Sequence, residues 1–383
     1  MADLWYNKPN YIGETRNLMM IFTKNGGAYW QSQIDAAALS PERELTIRGN
    51  WEIEKTISIP SDFTLYLDNC HLKMADGTFC NLFRNAGYEK PGGNTADGAD
   101  RNIRVLGRGR AILDGGTYNG LHERNSGKDG NPHISVNNLL LFVNVDGFEV
   151  SHIQLKNQRW WAMNFLYCRH GAIDTIDFCS DDGIAGRDGS RIPGKTLRDI
   201  AEYPGHEAYI RNSDGIDLRA GCHDIRIENI TGFTQDDTVA LTGLPGKMET
   251  EMYAVEGLST DIHNVIIRNV NSASFCTNIR LLNQGGIRLY NILIDGMMDA
   301  SMGSPHMDRG IYGVRVGDNH MYGPRHSTPD ETVNITIRNV YSRARSAAVQ
   351  LAGSITNCVL DNVNGFDGCP TTLLNDAKLY PVE

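Results

Sequence analysis

The 383-residue sequence has no run approaching 18 apolar residues, so nothing in it reads as a membrane-spanning helix. Its start, MADLWYNKPNYIGETRNLMMIF, lacks the charged and continuous apolar regions of a signal peptide. That leaves the compartment open: cytoplasmic as given, or secreted with a leader removed. The 8 cysteines show no CxxC or CxxH spacing, which removes the usual zinc ligand sets and leaves them as small apolar core residues. Positive charge is also short. With 36 Lys+Arg against 46 Asp+Glu the formal net charge is -10, so no general nucleic-acid surface is expected.

Glycine, by contrast, is abundant at 40 residues and favours many turns over long helices. A chain this long exceeds the usual single core and suggests two domains, unless it is built from repeats that bury their faces against neighbours. Repeats are present. Apolar residues recur at i, i+2, i+5 and often i+7, with Asn or His at i+4, in segments starting at Phe148, Ile225, Val265, Ile287, Ile335 and Cys358. A weaker copy starts at Gly171. The steps 148→171, 265→287 and 335→358 are 23, 22 and 23 residues. The gaps 171→225, 225→265 and 287→335 read as one or two steps plus insertions.

A period in the low twenties, made of short β-branched strands, matches a coiled solenoid. The leucine-rich consensus with its helical segments is missing. The expected fold is therefore all-β: one right-handed parallel β-helix, with the Asn at i+4 stacked at a bend. A helix over 27–38 would cap the open end. The boundaries expected are a cap over about 1–45, coils over about 46–370 and a tail over about 371–383, in one domain. The segment 85–102 reads as an inserted loop, not a linker.

Within this repeat, Asn212-Ser213-Asp214-Gly215 and Gln235-Asp236-Asp237 are separated by one coil length. Acids distant in sequence then lie one rung apart in space. Neighbouring strand residues face opposite ways, so Asp236 and Asp237 reach solvent together only at a strand end or bend. Three such carboxylates repel one another, and at least one must hold its proton more tightly, the condition for general acid–base work. Taken alone, both motifs are ordinary turn sequences; their spacing is what argues otherwise.

NSDGIDL followed by QDDTVAL resembles the NTDGID and [GQ]DD motifs of glycoside hydrolase family 28, the polygalacturonase-like enzymes. FEVSHIQLKNQRWWAMNFLYCRHGAIDTIDF (148–178) and Gly313-Val314-Arg315-Val316 are similar to further segments of that family, and the likeness covers roughly 145–345. It implies a right-handed parallel β-helix that hydrolyses glycosidic bonds with inversion. It implies Asp236 as general acid, Asp214 and Asp237 activating water, and Arg315 holding a substrate carboxylate or hydroxyl. Two family features are missing: no histidine stands in Ser274-Phe275-Cys276-Thr277, and Gly317 replaces a lysine. A neutral sugar, or a uronate held by other arginines, is expected in place of plain polygalacturonan.

Further substrate-binding candidates are Arg280, Trp161, His320, Tyr322 and His206. His326 and Tyr209 are weaker ones, and Trp160 and Trp161 should face opposite ways. The insertion 180–211 should wall the cleft and favour exo action or short oligosaccharides. Inserts near 243–263 and 297–331 should line the same side. No cofactor or metal is expected, the partner is an oligo- or polysaccharide, and the oligomeric state is open. Two alternatives remain: a polysaccharide lyase using Ca²⁺ on Asp181, Asp182, Asp214, Asp217, Asp236 and Asp237 with Arg280 or Arg315 as base, and a non-catalytic carbohydrate-binding β-helix.

Overall fold

In the computed structural model, residues 20–116, 133–158, 160–180, 184–185, 191–192, 208–209, 214–303, 309–318, 320 and 322–381 are described. Ile184–Ala185, Arg191–Ile192 and Ala208–Tyr209 form a separate three-stranded antiparallel sheet. The other strands form one 19-stranded sheet, each pairing in parallel with the strand two further along in it until Ala347–Gly365, which pairs with Thr332–Ser342 and Thr372–Tyr380 on either side of it in sequence. Long and short strands alternate. The short row, Trp161–Leu166, Asp214–Leu218, Val239–Gly243, Thr277–Asn283 and Tyr312–Val316, makes one flank of a right-handed parallel β-helix. The long row, including Arg169–Cys179, His223–Thr234 and Ile262–Ser274, bends around the rest of each coil.

Alternation along the short row sets one apolar residue per rung against the next. Met163, Ile216, Val239, Ile279, Val314 and Val349 stack in register, as do Phe165, Leu218, Leu241, Leu281, Val316 and Leu351. All of these are buried in the core. Each side chain so enclosed contributes about 1.5–3 kcal/mol.

Two bends, five residues apart, turn each long strand. Asp224, Asn264, Asn291, Asn334 and Asn357 take positive φ at the first, and His152, Thr175, Asn229, Asn269, Asn339 and Asn362 at the second. Asparagine tolerates this region because its short amide bonds locally. At the first bend these amides form a one-way ladder. Each Nδ2 donates to the Oδ1 one coil back, Asn357 to Asn334 to Asn291 to Asn264, over 2.8, 2.9 and 3.0 Å. Asn264 closes the series on Asp224 at 3.0 Å.

The pairing corrects the coil steps. Gly171 registers with Ile225 and Ile225 with Val265, so each long gap is one coil with an excursion, never two coils. Val265 registers with Ile292, not Ile287. The segment starting at Ile287 carries its asparagine, Asn291, at the first bend, whereas the other copies place this position at the second; the two bends look alike because both take asparagine and lie five residues apart.

The helix occupies Gly26–Ala37 and buries Gly26, Gly27, Trp30 and Ile34 over the first coil. Its first amides, Gly27 and Ala28, donate to Glu54 at 3.0 and 2.8 Å. The expected tail is instead a rung: Thr372–Tyr380 pairs in parallel with Ala347–Gly365. Leu374 and Leu379 continue the interior stacks of Leu351 and Ile355 and stand exposed as the last rung. Among the cysteines, Cys70, Cys168, Cys222 and Cys369 are buried free thiols, and the other four are half-buried. Of the described residues, none lies in a helix long and apolar enough to cross a membrane.

Candidate active site

The short-row flank carries a cleft of about 280 Å³ lined by Asp214, Asp217, Asp236, Asp237, Glu249 and the cations Arg219, Lys247 and Arg280. Its floor follows from strand alternation. Between the two apolar stacks, the outward positions in register are Asn164, Asp217, Ala240, Arg280, Arg315 and Gln350. Ala240 keeps the floor open between an acid and an arginine.

Asp214 opens its strand in register with Trp161, and Ile216 registers with Val239, which sets Asp214 level with Asp237 on the next rung. The Gly215 N–H donates to the Asp237 carbonyl at 2.9 Å. Nothing but glycine fits at 215, since a Cβ would lie 2.3 Å from the Thr238 carbonyl. Asp214 N–H donates to the Trp160 carbonyl at 2.8 Å. Trp160 itself sits at φ 56, a strained position for so bulky a residue, directly beside the acids.

Asp236 and Asp237 lie at the bend between His223–Thr234 and Val239–Gly243, which is how adjacent residues both face the cleft. The Asp236 carbonyl accepts from Thr234 Oγ1 at 2.7 Å and Ser274 Oγ at 2.8 Å, fixing that bend. Asp237 is buried and accepts from Arg280 Nη1 at 3.4 Å. Burial, followed by the charges of Asp236, Asp217 and Asp237, holds the Asp214 carboxyl well above the usual carboxylate range, with Arg219 opposing.

Arg219, Glu249, Lys247 and His133 complete the lining and were not singled out from the sequence. Arg219 pairs with Asp217 at 3.2 Å and Glu249 at 3.0 Å, and lies 3.8 Å over the Trp161 ring. Its signal was present: two positions after Asp217 and directly past the end of that strand, it stays on the cleft side. Glu249 comes from an excursion and carried no such signal. The His133 ring accepts the Ser135 N–H on Nδ1 at 3.1 Å, so its neutral form carries the proton on Nε2.

Of the expected binding residues, Arg280, Trp161 and Tyr322 line the cleft, and Arg280 stands 5.5 Å from the Tyr322 ring centre. Among the described residues, Arg280 Nε and Nη2 make no hydrogen bond. Arg315 sits one rung beyond, buried, 4.0 Å from Asp318 and outside the lining. Trp160 and Trp161 are both buried, and only Trp161 lines the cleft. His320 is exposed and packs edge-on against His326 with ring centres 4.4 Å apart. His206, Asp181 and Asp182 lie outside the described residues, as does most of 180–211.

At the position of the missing histidine, Cys276 stands with its sulfur and the Asp236 and Asp237 oxygens within 4.8 Å of one another. Burial and the charges of Asp237 and Asp236 push this thiol well above its ordinary range, so it stays protonated. Gly317 replaces the missing lysine because its backbone requires it: φ is 80 and a Cβ would lie 1.9 Å from the Ala352 carbonyl.

The excursions flank the acids from opposite sides, not from one. Residues 244–249 line the cleft and lean over earlier coils, where Tyr88 Oη donates to the Met252 carbonyl at 3.0 Å and Thr95 bridges to Glu256. Tyr322 comes from the later side, its loop held by Gln284 and the Gly323 carbonyl.

A β-helix with a cleft of opposed carboxylates on its flank is the architecture of a β-helical, acid–base glycosidase. The chain belongs to glycosyl hydrolases family 28, whose profile matches residues 52–257. That stretch holds Asp214, Asp236 and Asp237 but neither Arg280 nor Arg315. The chain is therefore a polygalacturonase-like O-glycosyl hydrolase, which decides against the lyase and the non-catalytic readings. Its fold is similar to a polygalacturonase from Erwinia carotovora ssp. carotovora at 13% identity, covering 94% of this chain and 95% of that one with a TM-score of 0.55. It is also similar to a 1,3-alpha-1,4-beta-D-galactose-4-sulfate-3,6-anhydro-D-galactose-2-sulfate 4 galactohydrolase at 10% identity, covering 93% and 86% with a TM-score of 0.50. No curated protein matches the chain in sequence.

Proposed function

We propose that the enzyme hydrolyses a pectic, uronate-containing oligosaccharide with inversion, using Asp236 as proton donor and Asp214 with Asp237 to hold and activate water. The observation that carries this reading is the opposition of Asp214 and Asp237 on adjacent rungs with Asp236 at the bend between them and Arg280 beneath. Asp236 gives its proton to the leaving oxygen while Asp214 takes one from water, so the cluster's proton count is unchanged. The raised proton affinity of Asp214 suits the accepting role, since a stronger base draws the water proton more readily. The reactive form has the proton on Asp236 and Asp214 ionised.

Arg280 is the cation for the sugar carboxylate, because it lines the cleft with only a long 3.4 Å contact from Nη1 to Asp237, while Arg219 is held by Asp217 and Glu249 at 3.2 and 3.0 Å. Lys247 adds a second positive charge to the lining. The excursion over 244–256, latched at Tyr88 and Thr95, limits the cleft on the side of the earlier coils. This supports action at chain ends or on short oligosaccharides.

The test is a screen of pectic, xylan and other plant-glycan oligosaccharides with wild type and Asp236→Asn, read by mass and by the anomer first released. Hydrolysis of a uronate-containing substrate by wild type alone, with the inverted anomer, supports the assignment. Activity confined to neutral sugars would remove the role given to Arg280. Retention of the anomer would remove the role given to water.

A further inference from the structure

The cleft sets five acids, Asp214, Asp217, Asp236, Asp237 and Glu249, against three cations. An acidic sugar chain can lie there only where its carboxylates meet those cations. Arg219 is already committed to Asp217 and Glu249. Arg280 and Lys247 are left, and they belong to opposite ends of the acid cluster.

Asn164, Asp217, Ala240 and Arg280 occupy four consecutive outward rungs. Asp214 opens the strand of the second rung, Asp236 and Asp237 lead into the third, and Arg280 stands on the fourth. The segment carrying Lys247 is fastened over the first. Beside it, Met248 Sδ accepts from Asn164 Nδ2 at 3.5 Å, and the Glu249 carbonyl accepts from Tyr167 Oη at 3.2 Å. On its other side the Gly246 N–H donates to Glu249 Oε2 at 2.9 Å. The first and fourth rungs are about 14 Å apart, more than one sugar ring spans. Lys247 is exposed in the cleft wall, and among the described residues it makes no ion pair or hydrogen bond.

His133 reaches the same end from the coil before, whose strand Leu140–Val143 registers with Trp161–Leu166. The excursion fixes this ring as well. Ser135 Oγ lies 2.9 Å from His133 Nδ1 and 3.2 Å from Tyr253 Oη. With Nδ1 accepting the Ser135 N–H, the neutral ring offers its proton at Nε2.

We propose that Lys247, with His133 at the same end of the cleft, forms a second carboxylate subsite, which holds the terminal uronate on the side of the acids opposite to Arg280. This rests on the uronate reading above and adds to it recognition of an acidic chain end. A lysine suits a cleft wall, since a point charge on a flexible stem needs no planar match to the carboxylate. The loop that delivers it is latched at Tyr88 and Thr95, so the charge is held at the end that the excursion limits.

The test is calorimetric titration of the full chain carrying Asp236→Asn, which prevents turnover, with trigalacturonate and with its two counterparts bearing neutral galactose at one end or the other. Adding Lys247→Gln should weaken trigalacturonate by about 5-fold at low salt, and the difference should shrink as NaCl rises. The same change should leave the affinity unaltered for the one counterpart whose neutral end lies at Lys247. His133→Ala should also weaken trigalacturonate, and His133→Gln, which keeps a donor, should recover part of the loss. Lys378→Gln, on the exposed last rung, controls for net charge and should change nothing. Equal losses in Lys247→Gln for all three ligands would overturn the subsite. So would an unchanged affinity in Lys247→Gln with Arg280→Lys weakened, and the uronate reading would then stand. Binding of none of the three would remove the uronate reading and the subsite together.

Discussion

Asp214 and Asp237 occupy equivalent positions on adjacent rungs, tied through the 2.9 Å hydrogen bond from the Gly215 amide to the Asp237 carbonyl. Their separation is set by the rung spacing of the sheet, not by side-chain packing, and that spacing is about 4.8 Å. Burial and the negative charges of Asp236, Asp217 and Asp237 around it hold the Asp214 carboxyl well above the usual carboxylate range.

Asp236→Asn should leave the fold intact and lower kcat by ~10²–10⁴, the factor a positioned acid contributes. Reducing-end release checks the rate, and circular dichroism checks the fold. An unchanged rate would remove Asp236 from the chemistry.

Asp214→Asn should raise Tm at neutral pH while abolishing turnover. The Asp214 carboxyl is held up by burial and by Asp236, Asp217 and Asp237. A group raised in the folded state contributes stability below its ordinary range near ~4, and loses it as pH rises through the raised value. Asparagine never ionises, so the difference from wild type should be absent in strong acid and open as pH rises. Calorimetry across that range shows it.

Arg280→Lys should lower kcat/KM on uronate substrates by at least ~10-fold, or about 1.4 kcal/mol, and lower it little on their methyl esters. A lysine keeps the charge but cannot reproduce the planar fork. Equal losses on both substrates would point to packing against Tyr322 instead.

Asn334→Ala should destabilise the solenoid by ~2–3 kcal/mol and Asn334→Gly by about 1 kcal/mol. Asn334 sits at φ 55 and both accepts from Asn357 and donates to Asn291. Alanine loses the bonds and strains the backbone, whereas glycine loses only the bonds. Urea unfolding of the pair separates the two costs.

The solenoid was legible because burial repeats with the coil: each interior stack draws one apolar residue per rung, and each bend asks for asparagine. The phase was not fully legible, since bends five residues apart look alike, and the repeat at Ile287 carries its asparagine at the first bend instead of the second. The acids were readable because the step between Asp214 and Asp237 is one of the short ones. Arg315 was expected at the substrate and lies a rung beyond Arg280, outside the cleft lining, because the outward column runs on past the cleft. Glu249 and Lys247 reach the cleft from an excursion, where no periodicity constrains the chain.

Successive coils here advance by 54, 40, 27, 43 and 23 residues, yet their rungs stay in register. Height along the axis is thus counted in coils, and the amount of chain spent between them is free. Lineages carrying this fold can lengthen or trim an excursion, and so redraw which sugars are admitted, while Asp214 and Asp237 keep their mutual spacing. Reaction and selectivity become independently heritable traits of one polypeptide.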